Sequence, residues 1–258
     1  MKPLVFQAGP SQAAKWALRS VSFGVLVALM AVGLAATSAI SGLNALVLLT
    51  AAALFGVLSL LLVVVAGISI WQKGKQGLGM LVLALLMSIA LLAYPAYFVA
   101  RGISLPMLND VTTDIDHPPE YSTAAVAVAA RAGHNPGPVS IDVRKAQQKA
   151  YPDVQPILVD IDSQQAFDLA LQAIKVLGWQ VIVAVPPGKH QTFGHIDATD
   201  RTKLLHFVDD ITLRIGPNQG QTQIDIRSSS RVGKSDFGTN AARIMRFSDE
   251  FQQLVDNL

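Results

Sequence analysis

The chain has 258 residues, of which 51% are hydrophobic and 15% charged, with a mean hydropathy of +0.41. That is too apolar for a disordered chain and more apolar than an ordinary soluble domain. The first 101 residues hold six basic residues (Lys2, Lys15, Arg19, Lys73, Lys75, Arg101) and no acid, whereas the remainder holds 14 basic and 18 acidic residues. A net charge of +2 divided in this way argues against nucleic acid as the main partner, and zero cysteines exclude disulfides, thiolate catalysis and cysteine-bound zinc.

Three apolar stretches, at about 21–40, 45–70 and 78–100, are long enough to cross a hydrocarbon core as helices. Basic residues gather on the cytoplasmic side of short loops, so Lys2, Lys15 and Arg19 place the N-terminus inside, and Lys73 and Lys75 place the second loop inside. Three crossings then put the chain after Arg101 outside. Trp16 and Trp71 fall at the inner interface and Tyr94, Tyr97 and Phe98 at the outer one, where amphipathic rings prefer to sit. The first stretch also admits reading as a cleaved signal ending near Thr37-Ser38-Ala39, although about 20 residues precede it, more than a signal n-region usually has. No Asp, Glu, Lys, Arg or His lies within the three stretches, which argues for an anchor rather than a transporter or channel. Pro95 is expected to kink the third.

Residues 102–156 carry Pro106, Pro118, Pro119, Pro136, Pro138, Pro152 and Pro156 and read as a Pro/Ala-rich linker, with short helices at 124–132 and 141–150. Residues 157–258 read as the folded domain. A strand at 157–161 precedes a helix capped by Ser163, with Phe167, Ala170, Ile174 and Leu177 at helical spacing up to Gly178. Strands follow at 179–185 and 192–198, separated by the turn Pro186-Pro187-Gly188-Lys189. Between 203 and 215 one parity is apolar except at Asp209, so a kink or bulge at Asp209-Asp210 is expected to keep that carboxylate out of the core. Pro217-Asn218-Gln219-Gly220 turns the chain into a strand at 222–231. A last helix from about Asp236 buries Phe237, Ile244, Phe247, Phe251 and Leu254. The expected fold is a membrane-anchored α+β protein: three transmembrane helices, then a two-layer sandwich of antiparallel sheet and two helices.

The run from Asn109 to Asp114, Pro118-Pro119, Ala150-Tyr151-Pro152-Asp153, Val208-Asp209-Asp210, and the block from Asp225 to Gly238 continuing through Asn240, Arg243 and Ile244 resemble the domain-of-unknown-function family 1499. The resemblance covers about residues 108–254. It implies no established activity or ligand. It does imply a bacterial protein preceded by membrane spans or an export signal, and hence a multi-pass protein of the cytoplasmic (inner) membrane with a periplasmic domain.

Chemistry is written less clearly than topology. Gly233-Lys234-Ser235 looks like the end of a phosphate-binding loop, but Ser228 stands where that motif needs glycine, so a nucleotide loop is rejected. Arg227, Arg231, Lys234 and Ser235 lie near the start of the last helix and form a candidate anion site, unless Ser235 or Asp236 caps the helix itself. Asp209 and Asp210 are weak candidates for acid and base catalysis with Arg227. Cross-strand pairing among Asp209, Asp210, Arg214, Asp225 and Arg227 explains them more cheaply. Asn109, Asp110, Asp114 and Asp116 are spaced like calcium ligands but lack the loop's glycine and glutamate. Turn capping suits them better. The scattered His117, His134, His190, His195 and His206 give no zinc spacing. No metal or cofactor is implied. The expected partners are the bilayer and either an envelope protein or an anionic small molecule. The first expectation is thus a non-enzymatic envelope protein, the second a hydrolase-like enzyme on an envelope substrate using Asp209 and Asp210, and the third a carrier of lipid or other apolar ligands.

Overall fold

A computed structural model describes residues 9–188 and 191–258; Lys2, Lys189 and His190 lie outside the described residues. Ser11 fixes where the first helix starts, its Oγ accepting from the Ala14 amide at 3.4 Å. Helix α1 therefore spans Gln12–Ala36 and includes Lys15 and Arg19, beginning nine residues before the apolar stretch. Alanine-rich sequence beyond a good cap propagates helix whether or not it carries charge. Ser41 caps α2 (Gly42–Lys73) in the same way, and Gly74 ends it in the left-handed region at φ +59. Helix α3 (Leu78–Ser104) runs through Pro95. All three are long and apolar enough to cross a membrane.

Close approach holds α1 to α2. A Cβ on Gly24 would lie 3.0 Å from the Ala52 carbonyl oxygen and from Phe55 Cβ, so only glycine fits there. Nearby, the buried Ser59 hydroxyl donates to the Ala17 carbonyl at 2.9 Å, a small-residue and hydroxyl contact suited to a solvent without water.

The chain divides into two compact units, the first running to Ala100 and taking in Lys203–His206, the second holding the rest. The second unit contains β1 (Asp110–Thr112), α4 (Ala125–Ala130), α5 (Ile141–Ala150), β2 (Ile157–Val159), α6 (Ser163–Val176), β3 (Gln180–Val185), β4 (Gly194–Arg201), β5 (Val208–Asn218), β6 (Gln221–Ser230) and α7 (Thr239–Asp256). The strands form one antiparallel sheet in the order β1-β6-β5-β4-β3, with β2 lying beyond β1 along the same side of β6. This is the expected α+β architecture.

Four details depart from the sequence reading. Residues 102–156 are not a linker: β1 pairs with β6, and Gln147 on α5 clamps Thr112, accepting from its amide at 3.1 Å and donating to its carbonyl at 2.6 Å. Asp162 rather than Ser163 caps α6, accepting from the Gln164 and Gln165 amides. No kink divides the strand at Asp209: β5 starts at Val208 and stays in register with β6 from Asp209↔Ser230 to Asn218↔Gln221. Helix α7 starts at Thr239, and Phe237 precedes it in a left-handed conformation, φ 53, half-buried rather than in the core.

Strand alternation sorts the sheet into two faces. Ile196 and Ala198 of β4, Ile211, Leu213 and Ile215 of β5, and Ile224 and Ile226 of β6 meet α6 and α7, where Phe247 stacks between Trp179 and Phe251. The other parity places Asp197, Asp210, Thr212, Asp225 and Arg227 on the far face, and these are buried as well. Residues 113–140 cover them.

Candidate functional site

The buried arginines of the far face and its cover are met by carboxylates. Arg227 grips Asp110 in a two-pronged pair, Nε to Oδ1 at 3.0 Å and Nη2 to Oδ2 at 2.6 Å, and also donates to the Gly137 carbonyl. Burial works against its charge, but the hydrogen bonds and charge of Asp110 outweigh burial and raise its pKa. Arg231 grips Asp210 in the same manner and donates to the Ala130 carbonyl. His134 Nδ1 lies 2.7 Å from the same Asp210 carboxylate. From the covering segment, Arg131 reaches Asp197, and Tyr121 lies between the guanidiniums of Arg131 and Arg227, each 5.5 Å from its ring centroid. The Tyr121 hydroxyl donates to the Asp210 carbonyl, and burial raises its pKa well above the ordinary phenol value.

These contacts correct the two sites expected from sequence. Arg227 and Arg231 are engaged by Asp110 and Asp210, Ser235 accepts from the Phe237 amide, and Lys234 is exposed. The helix start they were expected to share is occupied by Asp236, whose two oxygens accept from the Gly238 and Asn240 amides at 2.8 and 2.6 Å. An Asp side chain thus takes the place an anion would need. Asp209 and Asp210, the candidate catalytic pair, point to opposite faces of β5 and bind different arginines, Arg243 and Arg231. Two carboxylates separated by a sheet do not act on one substrate atom. Asn109, Asp110, Asp114 and Asp116 do not converge either: Asn109 donates to the Gly233 carbonyl, Asp110 binds Arg227 and Asp114 binds Arg214. Among the described residues, no group of three or more His, Asp or Glu is placed to hold a metal ion.

The concave feature of this unit lies at one end of the far face. An open groove of about 660 Å³ is lined by His117, Glu120, Phe193, His195 and Arg214 together with Asp116, Pro118, Gln191 and Gly194. A second void, beside Tyr121 and Arg131, measures about 10 Å³, room for no more than one water. The groove is built by register: His195 on β4 sits directly across from Arg214 on β5, and Asp197 two residues on shares their face. His195 Nε2 lies 2.9 Å from Asp197 Oδ1, while Asp197 Oδ2 takes the Ser122 amide and Arg131. Gly216 lets the half-exposed ring of Phe193 lie directly over the strand, since a Cβ there would run into Phe193 Cδ1 and push the ring away. Sequence reading passed over Glu120 and Phe193 and saw His195 only as an unlikely zinc ligand. The signal it carried was His195-x-Asp197 on a strand, two polar side chains on one face.

The family model described as Protein of unknown function (DUF1499) matches residues 110–251. The chain belongs to the DUF1499 family. The match runs from β1 into α7, so the DUF1499 region takes in the covering segment, the paired charges and every residue of the groove. The three apolar helices precede it. No curated protein matches the chain.

Proposed function

We propose that this protein is a non-enzymatic binding protein of the bacterial inner membrane, which presents its DUF1499 domain on the extracytoplasmic side and holds a component of the cell envelope in the groove of His117, Glu120, Phe193, His195 and Arg214. The groove carries this reading: its volume of about 660 Å³ is of the size small-molecule sites have, and an aromatic wall stands beside a few polar groups. The orientation is supported by Lys15 and Arg19 in the first turns of α1, by Lys73 at the end of α2 and by Lys75 between α2 and α3, which favour the cytoplasmic side. Catalysis by Asp209 and Asp210 has no support in their opposed placement. A lipid carrier has none in the space between sheet and α7, which fully buried Ile211, Leu213, Ile226, Ile244, Phe247 and Phe251 fill.

Two measurements test it. The chain lacks cysteine, so single-cysteine variants report sidedness cleanly. Lys234→Cys is expected to react with an impermeant maleimide in intact spheroplasts, and Lys75→Cys only after permeabilisation; the reverse pattern overturns the orientation. Native mass spectrometry of the mildly extracted chain is expected to show a retained component that Phe193→Ala with His195→Ala releases. Retention unchanged in that variant removes the groove from the reading.

A further inference from the structure

Resting on the groove as the ligand seat, we infer that it takes a protonated primary amine carried on a small apolar body, rather than an anion.

The first reason is charge. Arg214 is the guanidinium and Asp116 and Glu120 the carboxylates among the lining residues, while Asp114 and Asp225 pair with Arg214 and Arg144 meets Asp116. Arg214 gives Nε and Nη2 to Asp225 at 3.1 and 2.7 Å, and Nη2 also meets Asp114 at 2.9 Å and the His117 carbonyl at 3.0 Å. Its charge is cancelled before a ligand arrives. Arg144 meets Asp116 only at 3.7 Å. Glu120 is exposed, and its carboxylate has no hydrogen bond or ion pair among the described residues. A concave site with this balance concentrates cations.

The second reason is hydrogen-bond polarity. His195 Nε2 lies 2.9 Å from Asp197 Oδ1, and Asp197 is also paired with Arg131, so that carboxylate is already engaged. Glu120 is a lining carboxylate with no partner among the described residues, and a carboxylate only accepts. An ammonium group supplies donors to Glu120 and brings the opposite charge. A carboxylate or phosphate supplies neither.

The third is the wall. Phe193 presents its ring half-exposed at the groove, held over Gly216. An aromatic face attracts a cation and covers the apolar body that bears it.

The test uses the full chain in neutral detergent micelles, with empty micelles as the blank, titrated by calorimetry with three probes: phenethylammonium, 3-phenylpropionate and calcium ion. Phenethylammonium is expected to bind saturably and the other two not. Glu120→Gln, an exposed and unpaired position that folding does not depend on, is expected to weaken it at least about tenfold, and Phe193→Leu about threefold or more. Asp142→Asn, an exposed acid on α5, is expected to leave it within about twofold. An end-blocked Ala-Lys-Ala peptide run alongside assigns the source: tighter binding than phenethylammonium places the amine on a polymer, weaker binding makes it a free small molecule, and both support the inference. Saturable binding of phenylpropionate or calcium in place of the amine overturns it while leaving the groove as a ligand site. Equal binding by Glu120→Gln, or no binding of any probe, overturns it as well. The co-purified component above judges the groove separately.

Discussion

Asp209 and Asp210 are neighbours in sequence yet belong to two different buried networks on opposite sides of one sheet. Asp209 turns toward α7, where its Oδ2 accepts from Arg243 Nη2 at 2.6 Å, and Asp210 turns toward the covering segment, where Arg231 and His134 meet it. Arg243 is 1% exposed and also binds Asp200, the Ser228 hydroxyl and the Asn240 side chain. It is the cation that lets an unbroken strand carry a carboxylate on its apolar parity.

The first prediction concerns that cation. Arg243→Met leaves Asp209 buried without its counter-charge, and is expected to cost about 3–5 kcal/mol of stability in chemical unfolding. The double variant Asp209→Leu with Arg243→Met is expected to recover much of the loss, since replacing both partners with apolar groups is often neutral. Arg246→Met, one turn on and exposed, is expected to stay within about 0.5 kcal/mol. Equal losses for Arg243→Met and Arg246→Met refute the network's role.

The second concerns pH. Burial raises the Asp209 pKa above the ordinary 3.8, with the charge and hydrogen bond of Arg243 only partly opposing it. A group whose folded pKa is raised holds its proton more tightly when folded, so its contribution to stability is fully present below 3.8 and is lost as pH rises through the folded value. Plotted against pH, the stability of wild type minus that of Asp209→Asn is therefore expected to fall as pH rises above 3.8. A difference curve that climbs over the same range would show that Arg243 outweighs burial.

What the sequence disclosed followed from the kind of signal each element carries. The three long apolar helices, α6, α7 and the β5–β6 hairpin are marked by apolar length, period or turn residues, and those are local. Residues 102–156 are not, because the side chains they bury are polar: Gln147 and Arg131 are buried and Tyr121 is wedged between arginines, so no apolar period betrays them. The same holds for the arginines. Nothing local to Arg227 or Arg231 tells that Asp110 and Asp210 already hold them, since those partners come from other strands. The groove was hidden for a related reason, its walls coming from residues 116–120, from Gln191 and Phe193 ahead of β4, and from β4 and β5.

The third prediction tests the attachment of β1. Gln147→Ala removes the group that satisfies both the amide and the carbonyl of Thr112, all buried. Each unpaired buried group costs about 1–3 kcal/mol, and the Thr112 amide is expected to lose its protection in hydrogen exchange while the β5–β6 amides keep theirs. Unchanged protection at Thr112 would mean that pairing with β6 alone holds the strand.

The fourth separates stacking from hydrogen bonding in the cover. Tyr121→Phe deletes only the hydroxyl that donates to the Asp210 carbonyl and is expected to cost about 0.5–1.5 kcal/mol. Tyr121→Leu removes in addition the ring that Arg131 and Arg227 approach, each such contact being worth about 1–2 kcal/mol where the guanidinium is buried as both are here. The leucine variant is thus expected to be the less stable, and limited proteolysis is expected to cut it sooner within residues 113–140. If the two variants unfold and cleave alike, the ring adds nothing beyond its hydroxyl, and the segment is held by the ion pairs of Arg131 with Asp197 and Arg214 with Asp114 and by the His134 to Asp210 hydrogen bond.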